Sequence, residues 1–248
     1  MIATNEAQEI QFPQNDKILD QVIDSIRHER KEHLQDPYYL EYKLLPKLGL
    51  SDRLIQHYPD HLHQYCGTGV DSLQYPNQFS KYLAHLATKK IKSYAEIGCY
   101  KGGAFIIACE YLSRFHELEM CIACDPWPRY IMMQYAERRP NVVYITDSSH
   151  NPKFKDLYLS RKWDMTFIDG NQSYQSVVQD YNMVSSNTKM FAVNNIKNVF
   201  YPGPQQCWDE IKTLHKKDQL IEWTDQYDDV LLRMRGSVMG IGFVEHSG

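Results

Sequence analysis

The chain has 248 residues, 43% of them hydrophobic and 23% charged, with 12 Gly and 11 Pro. That composition excludes collagen-like, disordered and disulfide-scaffold classes, and the length allows one large domain or two small ones. With 27 basic against 31 acidic residues the net charge is −4, so the overall balance supplies no basic footprint for nucleic acid and leaves only local patches open.

No apolar run approaches the length of a membrane span, and no membrane partner is expected. The opening M-I-A-T-N-E-A-Q-E-I-Q-F-P has neither a basic start nor an apolar stretch, which argues against a secretory signal. Cys66, Cys99, Cys109, Cys121, Cys124 and Cys207 sit mostly in apolar surroundings, which suits reduced thiols and a cytoplasmic location. Cys121 and Cys124 form a C-x-x-C. Zinc would need two further ligands, and there is no second such pair, so M-C-I-A-C-D reads as a buried strand.

Residues 1–90 read as a helical and irregular extension, expected to pack on the sheet domain and cover the active site at the strand ends. Over residues 16–34, Ile18, Leu19, Val22, Ile23 and Ile26 recur at helical spacing, and Pro37 closes the stretch. From Tyr38 to Tyr75 the text is irregular, with Pro46, Pro59, Gly67 and Gly69 and the histidines His57, His61 and His63. Helical spacing resumes after Pro76 through Phe79, Tyr82, Leu83 and Leu86.

Residues 91–248 read as the main domain. Strands are predicted at 93–98, 120–125, 141–146, 164–169 and 189–194. Helices are predicted near 102–115, 129–138, 152–160, 173–184 and 204–217. Strands alternating with helices imply right-handed crossovers and a parallel sheet covered on both faces. The tail Y-D-D-V-L-L-R-M-R-G-S-V-M-G-I-G-F-V-E predicts two strands joined at Arg235-Gly236-Ser237, an antiparallel hairpin on the sheet edge.

In an open parallel sheet, ligands bind beyond the carboxyl ends of the strands. The first strand ends in E-I-G-C-Y-K-G-G-A, where Gly98, Gly102 and Gly103 permit a tight turn and the helix starting near Gly103 offers free N–H groups. The spacing fits neither G-x-G-x-x-G nor a phosphate loop. The second strand ends at Asp125, suited to accept hydrogen bonds from both hydroxyls of a ribose, with Trp127 as an apolar wall. The third places Asp147 and Ser148 where an adenine amino group can be read. The fourth ends at Asp169 in F-I-D-G-N-Q-S-Y, and the fifth at Asn194-Asn195. Any one of these residues also suits a plain turn or helix cap. Five polar rims after five apolar strands point to one shared site.

The E-I-G-x-x-x-G-G motif, the acid ending the second strand and F-I-D-G-N-x-S-Y-x-x-V-x-x-D together resemble class I S-adenosylmethionine-dependent methyltransferases. The likeness is greatest to the macrocin and other sugar O-methyltransferases and their cephalosporin-hydroxylase-like relatives. It spans about residues 66–215, including G-V-D-S-L-Q-Y-P-N-Q-F-S-K-Y-L. The resemblance implies an α/β fold: a Rossmann-like, doubly wound, mostly parallel seven-stranded sheet. It implies S-adenosylmethionine as cofactor, with Glu96, Gly98 and Gly102 lining its methionine portion, Asp125 holding the ribose, Asp147 and Ser148 near adenine, and Asp169 facing the transferred methyl group.

Metal-dependent members use this aspartate and two acids after the fifth strand to hold a divalent ion, usually magnesium, with a His three residues beyond the aspartate as base. Here those positions are Gln172 and Asn194-Asn195. Gln cannot take up a proton at neutral pH, and amide oxygens bring no charge to offset a cation. Weak or absent magnesium dependence is therefore expected, with no metal ligands assigned. The candidate catalytic residues are Asp169, Gln172, His150 and Asn195, with Asp169 as base if burial raises its pKa. His57, His61 and His63 are further candidate bases.

The leading expectation is O-methylation of a sugar, glycan or similar small polyol. The alternative is a cofactor-binding module that has lost catalysis, and a dinucleotide oxidoreductase ranks third. The acceptor and the oligomeric state are not legible in the sequence.

Overall fold

The computed structural model describes residues 13–247, so the amino-terminal stretch read for a secretory signal lies almost wholly outside the described residues. The extension starts with α1 (Pro13–Arg27) and the short helices α2 (Lys31–Leu34), α3 (Pro37–Tyr39) and α4 (Leu45–Leu48). A π-turn at Leu40–Leu44 and 3-10 turns at Ile55–His57 and Asp60–Tyr65 lie among them, and α5 (Pro76–Ala87) follows. Then come β1 (Ser93–Ile97), α6 (Gly103–Leu112), β2 (Met120–Asp125), α7 (Tyr130–Arg138), β3 (Val142–Thr146) and α8 (Pro152–Leu159). The chain continues through β4 (Trp163–Ile168), α9 (Tyr174–Ser185), β5 (Thr188–Asn194), α10 (Pro202–Leu214), β6 (Gln219–Trp223), α11 (Asp228–Met234) and β7 (Ile241–Glu245).

The seven strands lie in the order β3-β2-β1-β4-β5-β7-β6. The first five pair in parallel, and β7 runs antiparallel to both β5 and β6. Successive residues of a strand face opposite sides, so one strand feeds two cores. Tyr94, Cys121, Ala123, Met165 and Phe167 pack with α1, α5, α6 and α7 on one face. Ala95, Ile97, Ile122, Cys124 and Ile168 pack with α8, α9 and α10 on the other. Being covered on both faces explains why β1 and β4 read as continuous buried runs.

The antiparallel pair is present, but its first strand is not where the sequence predicts it. The run Asp228–Met234 is helical, with two acids in its first turn, one buried apolar residue (Val230) and Leu232 80% exposed. The edge strand is instead Gln219–Trp223, and α11 lies between the two members of the pair.

The extension packs on the sheet domain. Gln134 on α7 donates to Asp16, and Arg114 after α6 donates to the carbonyl of Ile26. Farther along, Gly49, Leu50 and Ser51 pair with residues 65–72 through backbone hydrogen bonds. At the start of α5, Gln78 donates to Asp225 O and accepts from Gly240 N. This ties the extension to the C-terminal region beside the strand ends.

Candidate active site

One cavity of about 870 Å³ opens beyond the carboxyl ends of the parallel strands, within the size range of small-molecule sites. Its floor comes from the turns after β1, β2, β4 and β5, and its roof from Arg53, Leu54, Asp71, Leu73 and Gln74 of the extension.

The turn after β1 is held by backbone geometry. Gly98 has φ +81°, and a Cβ there would lie 2.4 Å from both the carbonyl oxygen of Asp169 and Cα of Gly170. Only glycine lets the β1 and β4 turns approach this closely. Gly98→Ala is expected to lower stability by about 3 kcal/mol, from left-handed strain plus the displaced Asp169 backbone. Urea unfolding of the variant checks it. Gly103, at the start of α6, abuts the extension: a Cβ there would lie 2.5 Å from the carbonyl oxygen of Val70.

Asp125 closes β2. Its Oδ2 accepts from the N–H of Tyr100 (2.8 Å) and its Oδ1 from that of Trp127 (3.0 Å). Burial raises its pKa, opposed by those two N–H groups and by the nearby Arg129 guanidinium. Each carboxylate oxygen keeps acceptor capacity toward the cavity. Arg53 and Arg129 both lie against the ring of Tyr100, at 5.3 and 5.2 Å from its centre. Nε of Arg129 is buried with no hydrogen-bond partner.

Asp169 follows β4 and lies deep, with part of its surface open to the cavity. Its Oδ2 accepts from Gln74 Nε2 (2.8 Å) and its Oδ1 from Asn194 Nδ2 (2.9 Å), with Gln172 Nε2 at 3.5 Å. Burial pushes its pKa up to about 7, opposed by the hydrogen bonds from Asn194, Gln74 and Gln172. The amides continue as a chain: Asn195 donates to Gln172, and Asn198 donates to Asn195. Asn195 has φ +63°, a left-handed conformation that asparagine tolerates. Glu96 is buried beneath, accepting from the Tyr94 hydroxyl (2.9 Å). Burial, and then repulsion from Asp169, push its pKa far up.

The structure thus brings together Glu96, Gly98, Gly103, Asp125, Trp127, Asp169, Gln172 and Asn195 in one lining. Gly102, Asp147, Ser148 and His150 are not among the lining residues. Asp147 Oδ1 accepts from Ser148 N (2.7 Å), as a turn former does. His150 is drawn away by the buried Asp180, Nε2 to Oδ1 3.1 Å, which also receives Ser149 Oγ at 2.6 Å. Of the extension's histidines, His63 is 2.9 Å from the carbonyl of Tyr58 and His61 sits edge-on to Tyr227. His57 is buried and stacked on Phe200, behind the lining, and burial lowers its pKa.

Gln74 and Arg53 contact the site without having been singled out in the sequence, because nothing local to the irregular segment marks which residue points inward. The only signal was that Gln74 falls in the G-V-D-S-L-Q-Y-P stretch preceding α5.

A magnesium ion does not fit these donors. It binds through one or two carboxylates in near-ideal octahedral geometry. Here Asp169 is the one carboxylate in the turns after β4 and β5, and Gln172, Asn194 and Asn195 beside it bring no charge to offset a cation.

Residues 95–189 match the family model described as a methyltransferase domain. The matched segment contains Glu96, Gly98, Asp125, Asp169 and Gln172, and it stops before Asn194. Two solved structures share the fold. One is the O-methyltransferase TomG from Streptomyces achromogenes, involved in tomaymycin synthesis and solved in complex with SAM. It has a TM-score of 0.52 and 11% identity, covering 82% of this chain and 94% of that one. The other is cofactor-bound Rv0187 from MTB, with a TM-score of 0.51 and 12% identity, covering 71% and 83%. At these identities the likeness establishes the Rossmann-like methyltransferase fold. No curated protein matches the chain.

Proposed function

We propose that the protein is an S-adenosylmethionine-dependent O-methyltransferase acting on a hydroxyl of a sugar, glycan or similar small polyol. The observation that carries this reading is the Asp169 carboxyl, open to the cavity and held by the side-chain amides of Gln74, Asn194 and Gln172. The methyltransferase match and the SAM-bound TomG support the choice of cofactor.

When bound, S-adenosylmethionine supplies an electrophilic methyl group on a sulfonium. The residues of the β1 and β2 turns suit it. Asp125 offers acceptors for ribose hydroxyls, Trp127 an apolar wall and Arg129 an unused donor. Asp147 and Ser148 stand at the β3 turn next to this lining, on the side where the adenine end would lie.

On the β4 and β5 side, Asp169 accepts the proton of the acceptor hydroxyl as the oxygen attacks. Gln74, Asn194 and Gln172 hold its two oxygens in place and exclude a rotated carboxyl. Orientation of this kind contributes several kcal/mol to a two-substrate reaction. Amides both donate and accept, so Asn171, Gln172, Asn195, Asn198 and Gln206 suit neutral hydroxyl groups. The exposed rings of Phe200 and Tyr201 offer faces for a sugar. Among the described residues no helix is long and apolar enough to cross a membrane. The six cysteines are free, which supports a reducing, cytoplasmic setting, and the net charge argues against a nucleic-acid acceptor.

A catalytically silent S-adenosylmethionine-binding module is the second reading, favoured by the amides at Gln172, Asn194 and Asn195. Release of S-adenosylhomocysteine over a panel of free and glycan-linked sugars separates the two. Turnover is expected with at least one hydroxylated acceptor, and EDTA is expected to leave it unchanged. Binding without turnover on every acceptor would select the silent module. Loss of activity in EDTA with recovery in magnesium would overturn the metal-independent assignment.

A further inference from the structure

The end of the sheet opposite the cavity carries a second cluster. There α10 ends, β6 begins and β7 ends, with Gln219 and Met190 both in register with Glu245. This brings His215, Asp218 and His246 together, and His246 N donates to Lys189 O beside the start of β5. Among the described residues it is the one group of three such side chains whose donor atoms all lie within 4.8 Å of one another.

Nδ1 of His215 is 2.7 Å and Nδ1 of His246 is 3.3 Å from the same oxygen, Oδ2 of Asp218. Ligands about 2.0–2.1 Å from a tetrahedral zinc stand roughly 3.3 Å apart, so shifts of a few tenths of an ångström complete three corners. The outer partners are in place. The Tyr181 hydroxyl lies 2.8 Å from Nε2 of His215, which leaves that ring's Nδ1 for the cluster. The N–H of Ser247 holds the other oxygen of Asp218 at 2.7 Å. Without a cation, two imidazole nitrogens share one carboxylate oxygen, and Nε2 of His246 is buried with no partner. The side chains are only 12%, 16% and 26% exposed, unlike ordinary surface ion pairs such as Lys92–Glu119 at 64% and 51%.

We infer that His215, Asp218 and His246 bind one zinc-class divalent cation that clamps residues 246–247 to the turn between α10 and β6. Two nitrogens and one carboxylate oxygen form a donor set suited to zinc or cobalt rather than to magnesium or calcium. A water completes the fourth position.

The test is titration of the full, tag-free, chelator-stripped protein with Co²⁺ and then Zn²⁺. One equivalent of Co²⁺ is expected to give the visible absorption of a four-coordinate site, with Zn²⁺ displacing it and raising Tm. His246→Gln and Asp218→Asn, checked for folding by circular dichroism, are expected to weaken binding at least tenfold. Tyr181→Phe, which removes only the outer hydrogen bond, is expected to weaken it less. Absence of saturable binding to the wild-type protein, or unchanged affinity in His246→Gln, would overturn the site.

Discussion

Asp169→Asn is expected to lower methyl-transfer turnover by about 10²- to 10⁴-fold, the range a positioned general base contributes. The shape of the site survives the change. An amide at 169 can still accept from Asn194, and Gln74 can turn its own amide to receive the new N–H. Cofactor affinity is expected to change far less than turnover. The same substitution has an opposite effect on stability. Burial holds the carboxyl's pKa near 7, above its usual value near 4, so between those values the folded protein keeps a proton that the unfolded chain has released. That contribution is full below about pH 4 and is lost as pH rises through 7. Glu96 shifts in the same direction. The variant is therefore expected to gain in Tm over the wild type as pH goes from 5 to 8. The wild type's kcat/KM should rise through about pH 7, while the variant's should stay flat. Melting curves and pH-rate profiles check both, and a variant with undiminished turnover would remove Asp169 from the chemistry.

Asp125→Ala is expected to do the reverse. Hydrogen bonds to a charged group contribute about 1.5–3 kcal/mol each, so losing both ribose contacts should weaken cofactor binding by roughly 10²- to 10⁴-fold. Turnover at saturating cofactor should stay within a few-fold. Asp125 also receives the N–H groups of Tyr100 and Trp127, so part of the alanine effect will be a loosened turn. Asp125→Asn, which keeps one acceptor oxygen, should fall between the wild type and Asp125→Ala. Calorimetry of the three proteins with S-adenosylmethionine gives the order. Equal losses of affinity in the Asp125 and Asp169 variants, with turnover intact at saturation, would overturn the division of roles.

The parallel part of the fold was legible because its signal is local. The five parallel strands fall within one residue of the expected positions, each an apolar run ending in a polar turn. The C-terminal strand pair was legible in kind but not in place. The short run V-L-L fits a strand or one turn of helix equally well, and Q-L-I-E-W is an edge strand with little apolar alternation. The site divided along similar lines. Asp125 and Asp169 are fixed by the strands they end, so sequence position located them. His150 sits just past a strand end too, but the buried Asp180, thirty residues on, decides where its ring points. Gln74 reaches Asp169 across 95 positions of chain, a contact that no local pattern encodes.

The placement of β4 beside β1 has a wider meaning for how this protein can change. On the proposed division of the site, the turns after β1 and β2 hold the cofactor, and the turns after β4 and β5 with the loop at 71–74 hold the acceptor. The two recognition tasks are thereby written in separate stretches of sequence, which meet where Gly98 touches the backbone of Asp169 and where Lys101 and Gly103 touch residues 70–72. A lineage, or an engineer, can rewrite the acceptor passage while the cofactor passage stands unaltered, provided those few contacts are left alone.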